Sequence, residues 1–380
     1  MQYVRDHTNI PVPRVYGYGR YRLRRDTSAH QVFIVLDYID GQPLTKKSFG
    51  IVQNAAGANF SGKAVDLYSQ LQRLKFPRGG SLMPHETVGA WYRLRKFIFP
   101  EEEYLAPQSS MDLEFGPRIV GAFSMRKNEL QVDGYTAPRF IAATAKEFLE
   151  EQYRLLQAMW RIPSEELGRQ EAEREEFALH ALSFEEAQKT FGLKADSPGD
   201  SFYLPHPDLR VDNIIVDDKL HIQGVIDWEF SVTVPQHAFL PPSWITGHDT
   251  GSIYSKVDFS SEFMSALSSM RQQSPSHSQL AEAWDSKDDS RLPMAYIFLD
   301  PSHLVLLFYR CIYPRLYNKP RDEVVPSFFH EAENKELLEE EWQDIRKWTA
   351  GTQETLEQLR KWSDQMQGSL TRLDWERTMK

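Results

Sequence analysis

Two carboxylates and one carboxamide, Asp208, Asn213 and Asp227, fall within a single short stretch, His206 to Glu229, reading HPDLRVDNIIVDDKLHIQGVIDWE. The stretch has the pattern of a β-hairpin. Ile214, Ile215 and Val216 predict a first strand, Asp217, Asp218 and Lys219 supply turn chemistry, and Ile222 to Ile226 predict a second strand. A hairpin of this length returns the chain to its starting level, which sets Asn213 and Asp227 side by side. Asp208 lies five residues ahead of Asn213 on the preceding loop and can curl over the same spot. Oxygen ligands of this kind suit Mg²⁺, which takes one or two carboxylates together with water and substrate phosphates rather than a closed protein cage. Each residue alone has a plainer reading, since Asp and Asn at hairpin ends commonly cap turns.

The spacing decides between these readings. H-x-D-x-x-x-x-N, followed fourteen residues after its Asn by an Asp that ends an apolar strand, is a kinase-like signature. His206 to Asn213 resembles the catalytic loop, and Val225-Ile226-Asp227-Trp228-Glu229 the metal-binding strand end, of the phosphotransferase enzyme family that includes aminoglycoside and choline kinases. The wider wording, IPVPRVYGYG near the start and VIDWEFS through PPSWITG, resembles the fungal branch of that family.

The resemblance implies a fold, a reaction and roles. The fold is α+β, protein-kinase-like, with an incomplete N-terminal β lobe over residues 1–40 and a mainly α-helical C-terminal lobe over 41–380. The reaction is ATP- and Mg²⁺-dependent transfer of the γ-phosphate to a hydroxyl of a small molecule. Asp208 orients or accepts the hydroxyl proton, Asn213 and Asp227 hold metal, and His206 organises the loop as a structural partner. Arg210 has two readings, a phosphate contact or a plain salt bridge. Val32 to Leu36 resembles the last strand of the N-terminal lobe, and the backbone of Leu36, Asp37, Tyr38 and Ile39 belongs to the hinge that would bond adenine.

The elements that must position these residues follow from pattern. Met1 onward opens with a short helical end and a Pro-rich turn, Ile10 to Pro13, then strands over Arg14 to Arg22 and Gln31 to Ile39 joined through Arg24 to Ser28. Asp40-Gly41-Gln42-Pro43 breaks the pattern as a turn or hinge does. Beyond it the chain is predicted mostly helical. Phe148, Leu149, Gln152, Leu155, Leu156 and Met159 recur at helical spacing within a core helix over Arg139 to Arg161, closed by Pro163. The charged run Ser164 to Lys189 predicts one or two surface helices. Ser255 to Ser278 reads as a Ser- and Gln-rich loop, and Leu338 to Trp362 as C-terminal helices. Trp244, Asp249 and the Ser-rich loop either build the acceptor pocket or pack beside it.

Composition bounds the function. A formal charge of −10 excludes a general phosphate-backbone binder, so nucleic acid is not an expected partner. One cysteine, Cys311, excludes an intramolecular disulfide and a multi-thiolate zinc site and suits a reducing compartment, which makes the cytoplasm the expected location. Met1 to Thr8 is charged where a signal peptide needs an apolar run, and Leu304 to Phe308 is bounded by His303 and Arg310, so no membrane span is expected.

Set against the family, the chain lacks a recognisable phosphate-covering loop, the strand with the ATP-pairing Lys, and the helix Glu that pairs with it. Gly57 to Lys63, GANFSGK, has Walker A spacing, but Ala64 stands where Ser or Thr is required, and it reads as a loop. Lys46 and Lys47 lie on the wrong side of the hinge to substitute. The expectation is an N-terminal truncation with Met1 an internal methionine of a longer enzyme, and an unpaired Val32 to Leu36 edge open to self-association. The alternatives to an active kinase are a pseudokinase-like scaffold and an inactive fragment.

Overall fold

The computed structural model describes residues 1–21, 31–44, 57–84, 103–105, 113–116, 141–160, 169–193, 201–228, 231–249, 253, 260–284 and 290–336. The Arg24 to Ser28 connection, Lys46 and Lys47, Pro163, Glu229 and the helices expected over Leu338 to Trp362 lie outside them.

The chain opens with helix α1 (Gln2–His7) and the Pro-rich turn, then strands β1 (Val15–Tyr21) and β2 (Gln31–Leu36), which pair antiparallel. A third strand of this sheet, β6 (Glu103–Leu105), comes from later in the chain and pairs with β1, giving the order β2-β1-β6. β2 therefore sits at the outside of the described sheet, with Ile34 and Val35 exposed on it and Tyr38 89% exposed just beyond. Val4, Ile10 and Val12 pack into the same core as the hairpin that carries Asn213 and Asp227, and Val225 N–H donates to Pro11 O at 2.7 Å. The first dozen residues are thus bonded directly to that hairpin.

The region after the hinge contains more sheet than expected. β3 (Gln42–Pro43), β9 (Ile214–Val216) and β10 (Ile222–Val225) form one sheet of order β10-β9-β3. A five-stranded sheet of order β4-β8-β11-β5-β7 joins β4 (Lys75–Phe76), β5 (Gly80–Pro84), β7 (Leu113–Gly116), β8 (Phe202–Tyr203) and β11 (Val232–Pro235). Thr233 fastens its middle: the hydroxyl donates to Arg78 O at 2.7 Å and accepts from Gly80 N–H at 3.0 Å.

Two segments read as loops are helices. Gly57 to Lys63 opens α2 (Gly57–Gln72), because Phe60, Ala64, Leu67, Tyr68 and Leu71 make a buried stripe at helical spacing. The Ser-rich run holds α6 (Ser260–Met270) and α7 (Pro275–Trp284), which bury Phe263, Leu267, Leu280 and Trp284 against α2. Serine is only a mild helix disfavourer, and the i, i+4 apolar pairs outweigh it. The core helix begins at Ala145 rather than Arg139, as α3 (Ala145–Trp160). Thr144 Oγ1 accepts from Glu147 N–H at 3.1 Å, and the Glu147 carboxylate reaches past Thr144 to accept from Ala143 N–H at 2.8 Å, so the helix start is capped from both sides. The charged run forms α4 (Arg169–Ala181) and α5 (Phe184–Phe191), the latter capped by Ser183 and stopped by Gly192 at φ 66°. Helix α8 (Arg291–Leu299) packs against α3. Among the described residues no helix is long and apolar enough to cross a membrane.

Candidate active site

The hairpin forms as its sequence predicts. β9 and β10 are antiparallel, with an irregularity between Ile222 and Gly224. Asp217 builds the turn: its carboxylate accepts from the Lys219 and His221 amides at 2.9 and 2.8 Å and from Gln223 Nε2 at 3.1 Å. At the open end Ile226 N–H donates to Asn213 O at 3.0 Å, so the chain that enters β9 and the chain that leaves β10 are hydrogen-bonded just before Asp227. Asp227 has φ 64°, a left-handed conformation that Asp tolerates better than most side chains.

Asp208 reaches the same end of the hairpin from the preceding loop. Asn213 Nδ2 donates to Asp208 O at 2.7 Å and lies 3.4 Å from Asp208 Oδ2. A carbonyl only accepts, so the amide nitrogen is the atom facing it and Asn213 Oδ1 is turned the other way. Arg210 Nε meets Asp208 Oδ1 at 2.9 Å, an ion pair whose arginine side chain is 61% exposed. The guanidinium therefore keeps access to solvent.

His206 is buried and serves the backbone of the hairpin end. Its Nε2–H donates to Ile226 O at 2.8 Å, and its ring lies 4.5 Å from that of Trp228, whose own indole N–H donates to Val225 O at 2.9 Å. Burial lowers the His206 pKa, with Ile226 O, Asp208 and Asp227 opposing, so it is held neutral as an orienting donor. The sequence marked His206 as an organiser of the loop. Its partner is the residue before Asp227.

The donors at the hairpin end are hard oxygens, two carboxylates and one amide. Among the described residues no group of three or more His, Cys, Asp or Glu gathers as a closed cage. Such a set fits an ion that keeps water and phosphate oxygens in its shell, as Mg²⁺ does.

A model of the phosphotransferase enzyme family matches residues 1–237, more than half of the chain and a span that includes every residue of this site. The chain belongs to that family. Membership carries the α+β, protein-kinase-like class expected from the motif. Among solved structures, the ADP-bound aminoglycoside phosphotransferase APH(2'')-Ib aligns over 81% of this chain and 80% of its own at 12% identity, with a TM-score of 0.32. A Plasmodium vivax ethanolamine kinase aligns over 81% of this chain and 70% of its own at 13% identity, with a TM-score of 0.27. Overlaps this loose do not bear on mechanism. No curated protein matches.

In this phosphotransferase the segment Leu36 to Ile39 leaves β2 at the border between the first sheet and the hairpin sheet. Asp37 is an architectural residue there. Its carboxylate accepts from Arg14 N–H at 2.9 Å and Tyr16 Oη–H at 2.7 Å and pairs with Arg5 at 3.3 Å. Its own N–H donates to Arg14 O at 3.0 Å, which commits that group to protein. The Tyr16 hydroxyl, then the Arg14 amide and Arg5, hold the Asp37 carboxyl below its ordinary pKa. A depressed carboxylate contributes stability above its unfolded pKa of about 3.9, and the contribution disappears as pH falls through the folded value. Asp37→Asn is therefore expected to melt below the parent at neutral pH, with the two melting curves converging below about pH 4. A thermal-shift series across pH reads this, and a gap that stays constant with pH would count against the network.

Proposed function

We propose that the protein transfers the γ-phosphoryl group of ATP to a hydroxyl of a small molecule, with Mg²⁺ as its ion. The reading rests chiefly on one observation. Asn213 is anchored by its amide nitrogen to the Asp208 carbonyl, with its amide oxygen turned away, at the hairpin end where Asp227 emerges. Turn-capping accounts for the bond to Asp208 O, but it gives no reason for an amide oxygen and two carboxylates to share this end of the hairpin.

In this proposal Asn213 Oδ1 and the Asp227 carboxylate would hold Mg²⁺, which would supply neutralisation of charge on the phosphates. Asp208 orients the acceptor hydroxyl and takes its proton as the oxygen attacks phosphorus, and ADP departs with the electrons of the broken P–O bond. Arg210, released from Asp208, contacts the transferring phosphate. The backbone of Leu36, Asp37, Tyr38 and Ile39 receives adenine through groups other than Asp37 N–H. Transfer of this kind depends on position and charge more than on covalent chemistry. The same proposal keeps the acceptor a small hydroxyl compound, the compartment cytoplasmic, and the outer edge of β2 the place where a second copy would pair. A scaffold without catalysis is not favoured, because it has no physical need for the Asp208, Asn213 and Asp227 arrangement.

Calorimetry of Mg·ATP binding tests the reading. Asp227→Ala is expected to bind at least about tenfold more weakly than the parent, since one charged contact to the ion is removed. Equal binding by folded parent and variant would remove Asp227 from the site. A folded parent that binds no Mg·ATP would end the proposal.

A further inference from the structure

We infer that Trp244 is a positioning residue for the catalytic loop, acting through the peptide between Leu209 and Arg210. The indole Nε1–H of Trp244 donates to Leu209 O at 2.7 Å. The N–H of the same peptide unit, that of Arg210, donates to Asp208 O at 2.8 Å. This is a bond between residues two apart, closing a three-residue turn around Leu209, one of the weaker turns a chain makes. Its plane is held at one end by the loop and at the other by the indole. Asp208 O is also the atom that anchors Asn213 Nδ2 at 2.7 Å. The indole, the peptide, the Asp208 carbonyl and the Asn213 amide thus form one connected chain of hydrogen bonds.

Leu209 is 4% exposed, so its carbonyl has little access to water if the indole donor is removed. A buried carbonyl without a donor is costly, and rotation of the 209–210 peptide is the direct way to relieve it. That rotation would also turn the Arg210 N–H away from Asp208 O and loosen the anchor of Asn213. The segment carrying Trp244 is itself well fixed. Tyr296 Oη–H, on α8, donates to Pro241 O at 2.7 Å and lies 3.0 Å from Thr246 Oγ1. Ile245 is fully buried and its N–H donates to Pro242 O at 3.1 Å, while His248 N–H donates to Ser243 O at 2.9 Å. The Phe60 ring of α2 lies 6.3 Å from the indole. α2 and α8 converge on a turn whose indole is directed at the catalytic loop.

The experiment compares Trp244→Phe with Trp284→Phe. Trp284 makes the chemically similar bond, Nε1–H to Phe239 O at 2.9 Å, elsewhere in the core, so its variant controls for the loss of an indole donor as such. Backbone hydrogen exchange is followed by mass spectrometry on peptides covering 206–213, together with Mg·ATP turnover into water. Trp244→Phe is expected to speed exchange in that peptide by about tenfold, the equivalent of one lost hydrogen bond, while Trp284→Phe leaves it unchanged. Turnover is expected to show a fall in kcat of about tenfold with KM for ATP within about twofold, the pattern of a displaced reacting group rather than a lost binding contact. Unchanged exchange over 206–213 in a folded Trp244→Phe protein overturns the inference. So does an equal rise in both variants. Should Trp244→Phe fail to fold, Trp244→Leu, which also lacks the donor, is put through the same comparison. The turnover arm rests on the proposed function and the exchange arm does not. A parent that binds and turns over no ATP therefore overturns that function, while exchange still decides the role of Trp244.

Discussion

Asp208→Asn is expected to cut the kcat for ATP turnover by about 10²- to 10⁴-fold, the range set by removal of a positioned general base. Affinity for Mg·ATP should stay within about threefold, because the change removes a proton acceptor and not a principal ligand of the nucleotide. The site is built in a way that makes this separation clean. Asn213 is anchored to the Asp208 backbone carbonyl at 2.7 Å, and its approach to the carboxylate is the longer contact at 3.4 Å. An isosteric amide leaves the shorter bond in place, so the Asn213 side of the hairpin end keeps its geometry. What the amide cannot do is accept the hydroxyl proton or hold Arg210 by charge, as the carboxylate does at 2.9 Å. Steady-state turnover and calorimetry on the same preparation check the split. A variant that turns over within about threefold of the parent means that Asp208 is not the base and that its convergence with Asn213 is structural.

How much of this was legible in the sequence follows from how local each interaction is. The hairpin was readable because the residues that pattern it lie within Asp208 to Asp227: apolar strand residues, an Asp217 turn, and an Asn and an Asp at matching ends. The larger sheet was not. Its strands are two to five residues long, and it pairs Tyr203 with Val234 and Gly80 with Thr233, the second across a gap of 153 residues. No pattern within one strand announces a partner that distant. The helices within the Ser-rich run were hidden for another reason. Serine and glutamine dominate that run and mask its spacing, although Phe263 and Leu267 stand four apart and are both fully buried. Trp244 illustrates the limit for function. The sequence left it between the acceptor pocket and simple packing, and only the 2.7 Å contact with Leu209 O ties it to the catalytic loop.

The hinge offers the other large effect, in stability. Gly41 has φ 143°, and a Cβ placed on it would lie 2.6 Å from Val216 O and 2.9 Å from Ile215 Cγ2. The close approach has a purpose. Gly41 leads directly into β3, where Gln42 and Pro43 pair with Val216 and Ile215, and Leu44 N–H then donates to Ile214 O at 2.8 Å. Proline is tolerated in that strand because β3 is at the sheet edge. The segment that leaves β2 is therefore stitched along β9, the strand that follows Asn213. Gly41→Ala combines an unfavourable backbone conformation with a clash against main chain, which cannot swing aside as a side chain would. The expected loss is about 2–4 kcal/mol, from the usual costs of strain and overpacking taken together. Gly192→Ala is the comparison, since Gly192 has φ 66° and nothing within 4 Å of its virtual Cβ. It pays for conformation alone, about 1 kcal/mol. Urea unfolding of the three proteins should thus order them parent, Gly192→Ala, Gly41→Ala. If the two variants unfold together, the hinge can move off the hairpin at no cost, and the strand pairing that joins it to Asn213 does not govern where the hinge sits.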